Sequence, residues 1–157
     1  MQPFDPSKAA ALFSAVMDSV RSFECVKEQT QTFGLYNYSA HRAVLRRSLA
    51  ATLHRQLKAY GYRIDPDGGT TGSLSRLYLK LRGALGGGKR ATVRELVREE
   101  TAFQHLLEVT LATIAVPDDI GETLAELHRC VSESKLELTK LGVAARRQRF
   151  WQARVKG

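Results

Sequence analysis

Four long segments of this chain repeat apolar residues every three or four positions, and a glycine-rich stretch divides them into two pairs. In the first segment the repeating residues are Leu12, Phe13, Val16, Met17, Val20 and Phe23. This spacing puts apolar side chains on one face of an α-helix, whereas a strand alternates every second residue. No segment shows strand-type alternation of comparable strength, so the sequence predicts an all-α protein.

The first two helices are bounded by residues that favour helix ends. Asp5 is a suitable N-cap, and Pro6 then opens a helix that runs to about Thr32. Ser39 is the predicted cap of the second helix, which stops at Gly61. The predicted apolar face of this second helix consists of Val44, Leu45, Leu49, Leu53, Leu57 and Tyr60.

The last two long helices follow the glycine-rich stretch. The third opens at Thr92, where Glu95 completes a capping box. Pro117 separates it from the fourth, which Gly142 is predicted to end. The sequence therefore predicts a helical domain over residues 1–143 and a basic tail over 144–157.

The connections predict how the helices are arranged. Short linkers at Gly34 and Pro117 join antiparallel neighbours. The crossover, residues 61–90, contains a predicted short helix at 73–85 and is long enough to return along the full length of a helix. Two antiparallel hairpins joined in this way have the connectivity of a ferritin-like four-helix bundle.

The composition is that of a globular domain. The chain has 157 residues, 43% of them hydrophobic and 25% charged. No stretch approaches the ~20 apolar residues of a membrane span, and the first residues do not resemble a secretory signal. Cys25 and Cys130 lack metal-type spacing and are expected to be reduced. We therefore expect a cytoplasmic protein without a membrane span.

Polar residues interrupt the predicted apolar faces at one height. They are Glu24, Ser48, Glu100 and Ser134. Burying a carboxylate without a partner costs several kcal/mol, so Glu24 and Glu100 need a metal, a shared proton, water or a cation. Arg47 is the nearest basic candidate.

Three interpretations of the glutamate pair remain open at this point. In the first, Glu24 and Glu100 are structural and either solvated or hydrogen-bonded; in the second, they bind iron or another divalent metal; in the third, they act as a catalytic acid and base. A di-iron site of the ferritin type also needs a Glu-x-x-His motif on each of two helices, and the chain contains none. We therefore expect no cofactor. No catalytic triad or nucleotide-binding motif is present either, so an enzyme is not expected.

The net charge of +8 is concentrated partly in the tail. The tail combines cations with aromatic residues, and its candidate binding residues are Arg146, Arg147, Arg149 and Trp151. Such a segment is suited to nucleic acid, because cations bind phosphate and aromatic rings stack on bases. The alternative is a helical extension whose Phe150 and Trp151 dock on the bundle or on a neighbouring molecule.

The junction between the second helix and the crossover carries a family resemblance. It consists of the run Leu53-His54-Arg55-Gln56-Leu57-Lys58-Ala59-Tyr60-Gly61, then Pro66, Gly72-Ser73-Leu74 and Leu85-Gly86-Gly87. Over residues 19–141 the chain resembles a bacterial family of ferritin-like four-helix-bundle domains of unknown function. The resemblance implies a compact bundle, a stress-related role and no established reaction. Members often carry Glu at the position of Thr52, and His near that of Lys135, both of which are absent here.

These observations predict a noncatalytic helical protein that acts by forming homo-oligomers or by binding a partner. Four tyrosines near the crossover either supply the interface or pack the end of the bundle: Tyr36, Tyr38, Tyr62 and Tyr78. A degenerate metal-binding bundle and nucleic-acid binding through the tail are the alternative functions.

Overall fold

Four long helices dominate the computed structural model, which describes residues 1–29, 35–68, 79–84 and 86–156. The helices are α1 (Pro6–Gln29), α2 (Tyr36–Ala59), α3 (Lys89–Thr113) and α4 (Asp118–Lys156). Two short strands, β1 (Gln2–Pro3) and β2 (Ile114–Ala115), form a parallel pair. The chain is thus mostly helical, which confirms the predicted all-α class.

Each long helix packs against two others. α1 packs against α2, and α3 packs against α4; further contacts join α2 to α4 and α1 to α3. The parallel β1–β2 pair places the beginning of α1 beside the end of α3, so these two helices run in opposite directions. Tyr60, just after α2, donates a 2.8 Å hydrogen bond to Asp119 at the beginning of α4. Because α4 begins a few residues after α3 ends, α2 and α3 both finish at the same end of the molecule, here called the lower end. α2 and α3 therefore both begin at the opposite end, here called the upper end.

The predicted N-cap of α1 is confirmed. The backbone N–H of Lys8 donates a 2.9 Å hydrogen bond to Oδ1 of Asp5. This bond satisfies one of the N–H groups that have no partner within the helix. It also holds the pKa of the Asp5 carboxyl below its ordinary value, because the hydrogen bond favours the ionised form.

The predicted beginning of α2 is wrong. The helix begins at Tyr36, and the preceding Leu35 makes no side-chain capping bond. Ser39 lies inside the first turns and is fully buried. The hydroxyl that suggested a cap instead belongs to the buried face of the helix.

The predicted beginning of α3 is also wrong. The helix begins at Lys89, after Gly88 with φ of 89°. Thr92 lies within the helix, where its hydroxyl donates to the carbonyl of Gly88 at 2.9 Å. Glycine takes this positive φ without steric cost and so permits the earlier start.

The crossover is described in part. Residues 69–78 and 85 lie outside the described residues, and with them Tyr78 and much of the predicted helix 73–85; residues 79–84 are helical. At the lower end, the hydroxyl of Tyr62 donates to the carbonyl of Phe4 at 3.0 Å, and the two rings meet edge to face. The crossover thereby begins beside the first residues of the chain.

Gly142 does not end α4, which continues to Lys156. A side chain added at Gly142 would lie 3.4 Å from Val93, so this part of α4 is level with the first turns of α3. At about 1.5 Å per residue, the 39 residues of α4 span ~58 Å, against ~38 Å for the 25 residues of α3. We call residues 144–156 the arm, because they carry α4 beyond the beginning of α3.

The buried apolar residues form two clusters. The lower cluster includes Phe13, Val16, Val20, Ala50, Leu53, Phe103, Leu107, Leu124 and Val131. The upper cluster includes Phe23, Val26, Ala43, Leu96 and Leu138. On α2, α3 and α4, a buried polar residue lies in sequence between the two clusters: Arg46, Glu100 and Ser134 respectively. Within the described residues, none of the helices contains the long, nearly uncharged apolar stretch that a membrane-spanning helix requires.

Candidate functional site

The inward face of α2 differs from the predicted one. Its buried residues are Ser39, Arg42, Ala43, Arg46, Ala50, Leu53 and Leu57. Val44, predicted to be buried, is 71% exposed, whereas Leu53 and Leu57 are correctly predicted. The small side chains of Ala43 and Ala50 lie one turn on either side of Arg46, so they leave room for its guanidinium. A buried partner for that charge, rather than the number of apolar residues, decides which face turns inward.

Arg46 and Glu100 form a bidentate ion pair in the core. Nη1 of Arg46 donates to Oε1 of Glu100 at 3.1 Å, and Nη2 donates to Oε2 at 2.5 Å. Nη1 also donates to the hydroxyl of Ser19 at 2.6 Å. Arg46 is 0% exposed and Glu100 2% exposed. Three helices, α1, α2 and α3, thus meet at one guanidinium.

Two phenylalanine rings flank the same guanidinium. Its central carbon lies 5.3 Å from the ring centre of Phe23 and 5.9 Å from that of Phe103. The faces of aromatic rings attract cations, which offsets part of the cost of removing the charge from water. Nε of Arg46 is buried and has no hydrogen-bond partner within the described part of the chain.

Glu24 lies in a different ion pair at the surface. Nε of Arg47 donates to Oε1 of Glu24 at 3.0 Å, and Nη2 of the same guanidinium contacts the same oxygen. The side chains of Arg47 and Glu24 are 57% and 33% exposed. The structure therefore does not bring Glu24 and Glu100 together. Of the predicted polar layer, Glu100 and Ser134 are buried, whereas Ser48 is exposed.

Among the described residues, the two glutamates face arginines. Both oxygens of Glu100 accept from Arg46, so a metal ion would have to displace the guanidinium. Over residues 1–29, 35–68, 79–84 and 86–156, no group of three or more His, Cys, Asp or Glu side chains is placed to hold a metal ion.

The sequence did not predict the role of Arg46. The signal that could have indicated it is the position of Arg46 between Ala43 and Ala50 on one helix face.

A second set of polar contacts joins α2 to α4. The hydroxyl of Tyr38 lies 2.9 Å from Oγ of Ser134, and Nη2 of Arg42 pairs with Glu137 at 2.9 Å. The ring of Tyr38 also meets Phe23 edge to face. Burial raises the pKa of the Tyr38 hydroxyl. Tyr38 therefore packs within the protein, as Tyr62 does, whereas Tyr36 is 40% exposed.

The histidines have contacts outside the ion-pair core. Nε2 of His54 lies 3.1 Å from the carbonyl of Ile64, and its ring packs on Phe13. His128 pairs with Glu108 at 2.9 Å near the surface, and His41 and His105 are exposed. His54 and His128 are thus partly buried, His41 and His105 lie at the surface, and these contacts of His54 and His128 do not involve Arg46 or Glu100.

A groove of about 190 Å³ lies between α1 and α3. From α1 it is lined by Ala15, Asp18, Ser19 and Ser22, and from α3 by Glu99, Glu100, Ala102, Phe103 and Leu106. Burial raises the pKa of the Glu99 carboxyl, although Lys80 lies 3.9 Å away and partly opposes this shift. The groove therefore presents small side chains and acidic groups beside the buried ion pair.

The arm presents large side chains to solvent. Residues 151–155 are exposed, with Trp151 at 62% and Val155 at 83%. This exposure contradicts docking of Trp151 on the body of its own chain. Arg146, Arg147 and Arg149 lie on helical backbone, and their side chains, like that of Phe150, are outside the described residues.

In comparisons with known proteins, the chain matches no family model, no curated protein and no solved structure.

Proposed function

We propose that this is a noncatalytic protein with a ferritin-like four-helix bundle, and that it acts by self-association through its arm. The bundle assignment is supported by the helix directions. α1 and α2 form one antiparallel pair and α3 and α4 another, while α2 and α3 both begin at the upper end. A long crossover that returns along the bundle produces this order.

The observation that carries the proposal is the exposure of the arm. Trp151 and Val155 are four residues apart, so they lie on one face of the helix beyond the beginning of α3. Large exposed apolar side chains bordered by polar residues are typical of binding surfaces, and tryptophan and arginine contribute most of the energy at many interfaces. The arm has the residue types that an association surface requires.

The noncatalytic part of the proposal is supported by the buried ion pair. Glu100 is the most deeply buried acid of the described core, and its two oxygens are both bound by Arg46. A general base has to reach a substrate proton with a free lone pair and a suitable pKa. Here the Glu100 carboxylate instead binds Arg46 and so links α3 to α2.

The test is a measurement of native mass for the full chain and for a variant ending at Gly142. We expect the full chain to associate and the shortened chain to be a monomer. A full-length Trp151→Ala/Val155→Ala variant should also dissociate. Leu136→Ala is the matched control, because Leu136 is 60% exposed on the same helix but lies before the arm. An unchanged mass after removal of the arm would contradict the proposal.

Nucleic acid is a second candidate partner of the same arm. Trp151 is exposed and so able to stack on a base, and the arm carries Arg146, Arg147, Arg149, Arg154 and Lys156. Binding of a labelled single-stranded oligonucleotide tests this function by fluorescence anisotropy. If nucleic acid is the partner, the affinity falls steeply with added salt and is lost in the variant that ends at Gly142.

A further inference from the structure

Building on self-association through the arm, we infer that the arm of one copy docks in the groove between α1 and α3 of a second copy. The occupant is thus a helix of this same chain. The inference depends on the proposed function, and it adds the surface that receives the arm.

The shape of the groove suits a helix. Ala15, Ser19 and Ser22 on α1 and Ala102 on α3 have small side chains, so they permit another helix to approach closely. Leu106 and Val109 continue the same side of α3 and are 37% and 42% exposed. The groove therefore offers exposed apolar surface at one end.

The charges of the groove are opposite to those of the arm. Asp18 and Glu99 line the groove, and Lys80, which pairs with Glu99, lies 3.9 Å from it, near the limit of an ion pair. Because burial raises the pKa of Glu99, an additional cation would relieve an unfavourable charge there. The arm contains arginine and lysine and no acidic residue. Complementary charge of this kind favours the correct partner and its orientation.

The spacing along the two helices also matches. On α3, Glu99 precedes Leu106 by seven residues, or about 10 Å along the axis. On the arm, Arg147 precedes Trp151 and Val155 by four and eight residues, or about 6 and 12 Å. With the arm parallel to α3 and Arg147 level with Glu99, Trp151 and Val155 lie one residue, or about 1.5 Å, beyond the levels of Ala102 and Leu106, so the two spacings agree to within one residue.

The arm does not reach the groove of its own chain. α4 packs against α2 and α3, and its helix continues without interruption past Gly142. The groove begins several turns below the upper end, where the arm leaves the body. A continuous helix that extends upward cannot turn back into it, so docking requires a second molecule.

The test uses one groove variant, one arm variant and their mixture. Glu99→Lys reverses the charge of the groove, and Glu122→Lys is the control, since Glu122 is exposed on α4 outside the groove. We expect Glu99→Lys to weaken self-association more than ~tenfold, because like charges oppose each other, and Glu122→Lys to associate like the parent. Ala102→Trp, which fills the groove at an exposed position, should act like Glu99→Lys; circular dichroism checks that each variant is folded.

Mixing the variants gives the decisive result. Glu99→Lys retains its arm and Trp151→Ala/Val155→Ala retains its groove, so the two should form a mixed complex at concentrations where each variant alone is a monomer. If folded Glu99→Lys and Ala102→Trp associate like the parent, or if the mixture stays monomeric, the groove is not the docking surface. The arm-deletion experiment would still support self-association in that case, so the two proposals fail separately.

Discussion

Arg46 and Glu100 meet through two parallel hydrogen bonds in the interior, on helices that are not sequential along the chain. The pair lies between the two apolar clusters and also contacts Ser19 of α1. A buried pair of this kind is weak evidence for stability, but either charge left alone in the core would be costly. It fixes the rotation of α2 about its axis.

Removing one partner of the buried pair should be more damaging than removing both. Arg46→Met leaves Glu100 without its cation and should lower the free energy of unfolding by about 3–5 kcal/mol. Arg46→Met/Glu100→Leu should lie much closer to the parent, since no buried charge remains. Urea unfolding of the parent, the two single variants and the double variant measures the coupling. A double variant whose loss equals the sum of the single losses would show that the pair is not coupled.

The surface pair should contribute little. Glu24→Gln removes the charge that Arg47 contacts, at a position where both side chains reach solvent. We expect a loss of less than ~1 kcal/mol, which added salt reduces further. The same urea experiment provides the measurement. A loss as large as that of Arg46→Met would place Glu24 in the core and contradict the structure.

The cap of α1 predicts a pH-dependent contribution to stability. The folded-state pKa of Asp5 is lowered by the hydrogen bond from the N–H of Lys8. The stabilising effect is therefore present above the unfolded-state pKa and is lost as the pH falls through the folded-state pKa. Asp5→Ala should be less stable than the parent at pH 7, and the difference should shrink in acid.

Thermal unfolding from neutral to acidic pH measures this difference. Asp5→Ser is the control, because its hydroxyl retains a cap without a carboxyl that titrates. A difference between the parent and Asp5→Ala that stays constant across the acid range would contradict the role of the ionised carboxylate.

The thiol of Cys130 should react slowly in the folded protein. Cys130 is 3% exposed, and burial raises its pKa although Arg46 acts weakly in the opposite direction. The thiolate is the reactive form, so the low exposure of Cys130 and its raised pKa both slow modification. In a Cys25→Ser variant, labelling with a thiol reagent should become rapid only in denaturant. Fast labelling under native conditions would show that Cys130 is accessible.

The sequence predicted the helices better than it predicted their rotation. Apolar periodicity is strong in α1, and the Asp5 cap follows from local chemistry, so both predictions are confirmed. In α2 the same rule placed Val44 inside, because valine is apolar and arginine is charged. A periodicity rule cannot foresee that Glu100, on another helix, provides the partner that makes Arg46 the buried residue.

The separation of Glu24 from Glu100 has the same origin. Each glutamate interrupts an apolar face, and Arg46 and Arg47 are adjacent in sequence, so they point in directions about 100° apart around α2. Arg46 enters the core and pairs with Glu100, whereas Arg47 faces solvent and pairs with Glu24. The choice of Arg47 as the nearest cation was correct for Glu24 and missed Arg46 as the partner of Glu100.

The pairing of β1 with β2 bears on how the protein is completed during synthesis. Gln2 and Pro3 are synthesised more than a hundred residues before their partners, Ile114 and Ala115. The α1–α2 hairpin is able to form early from local contacts, but its lower edge stays open until α3 has emerged. Nascent chains halted before Ile114 should therefore expose Gln2 and Pro3 to proteases, and those halted well beyond Ala115 should protect them.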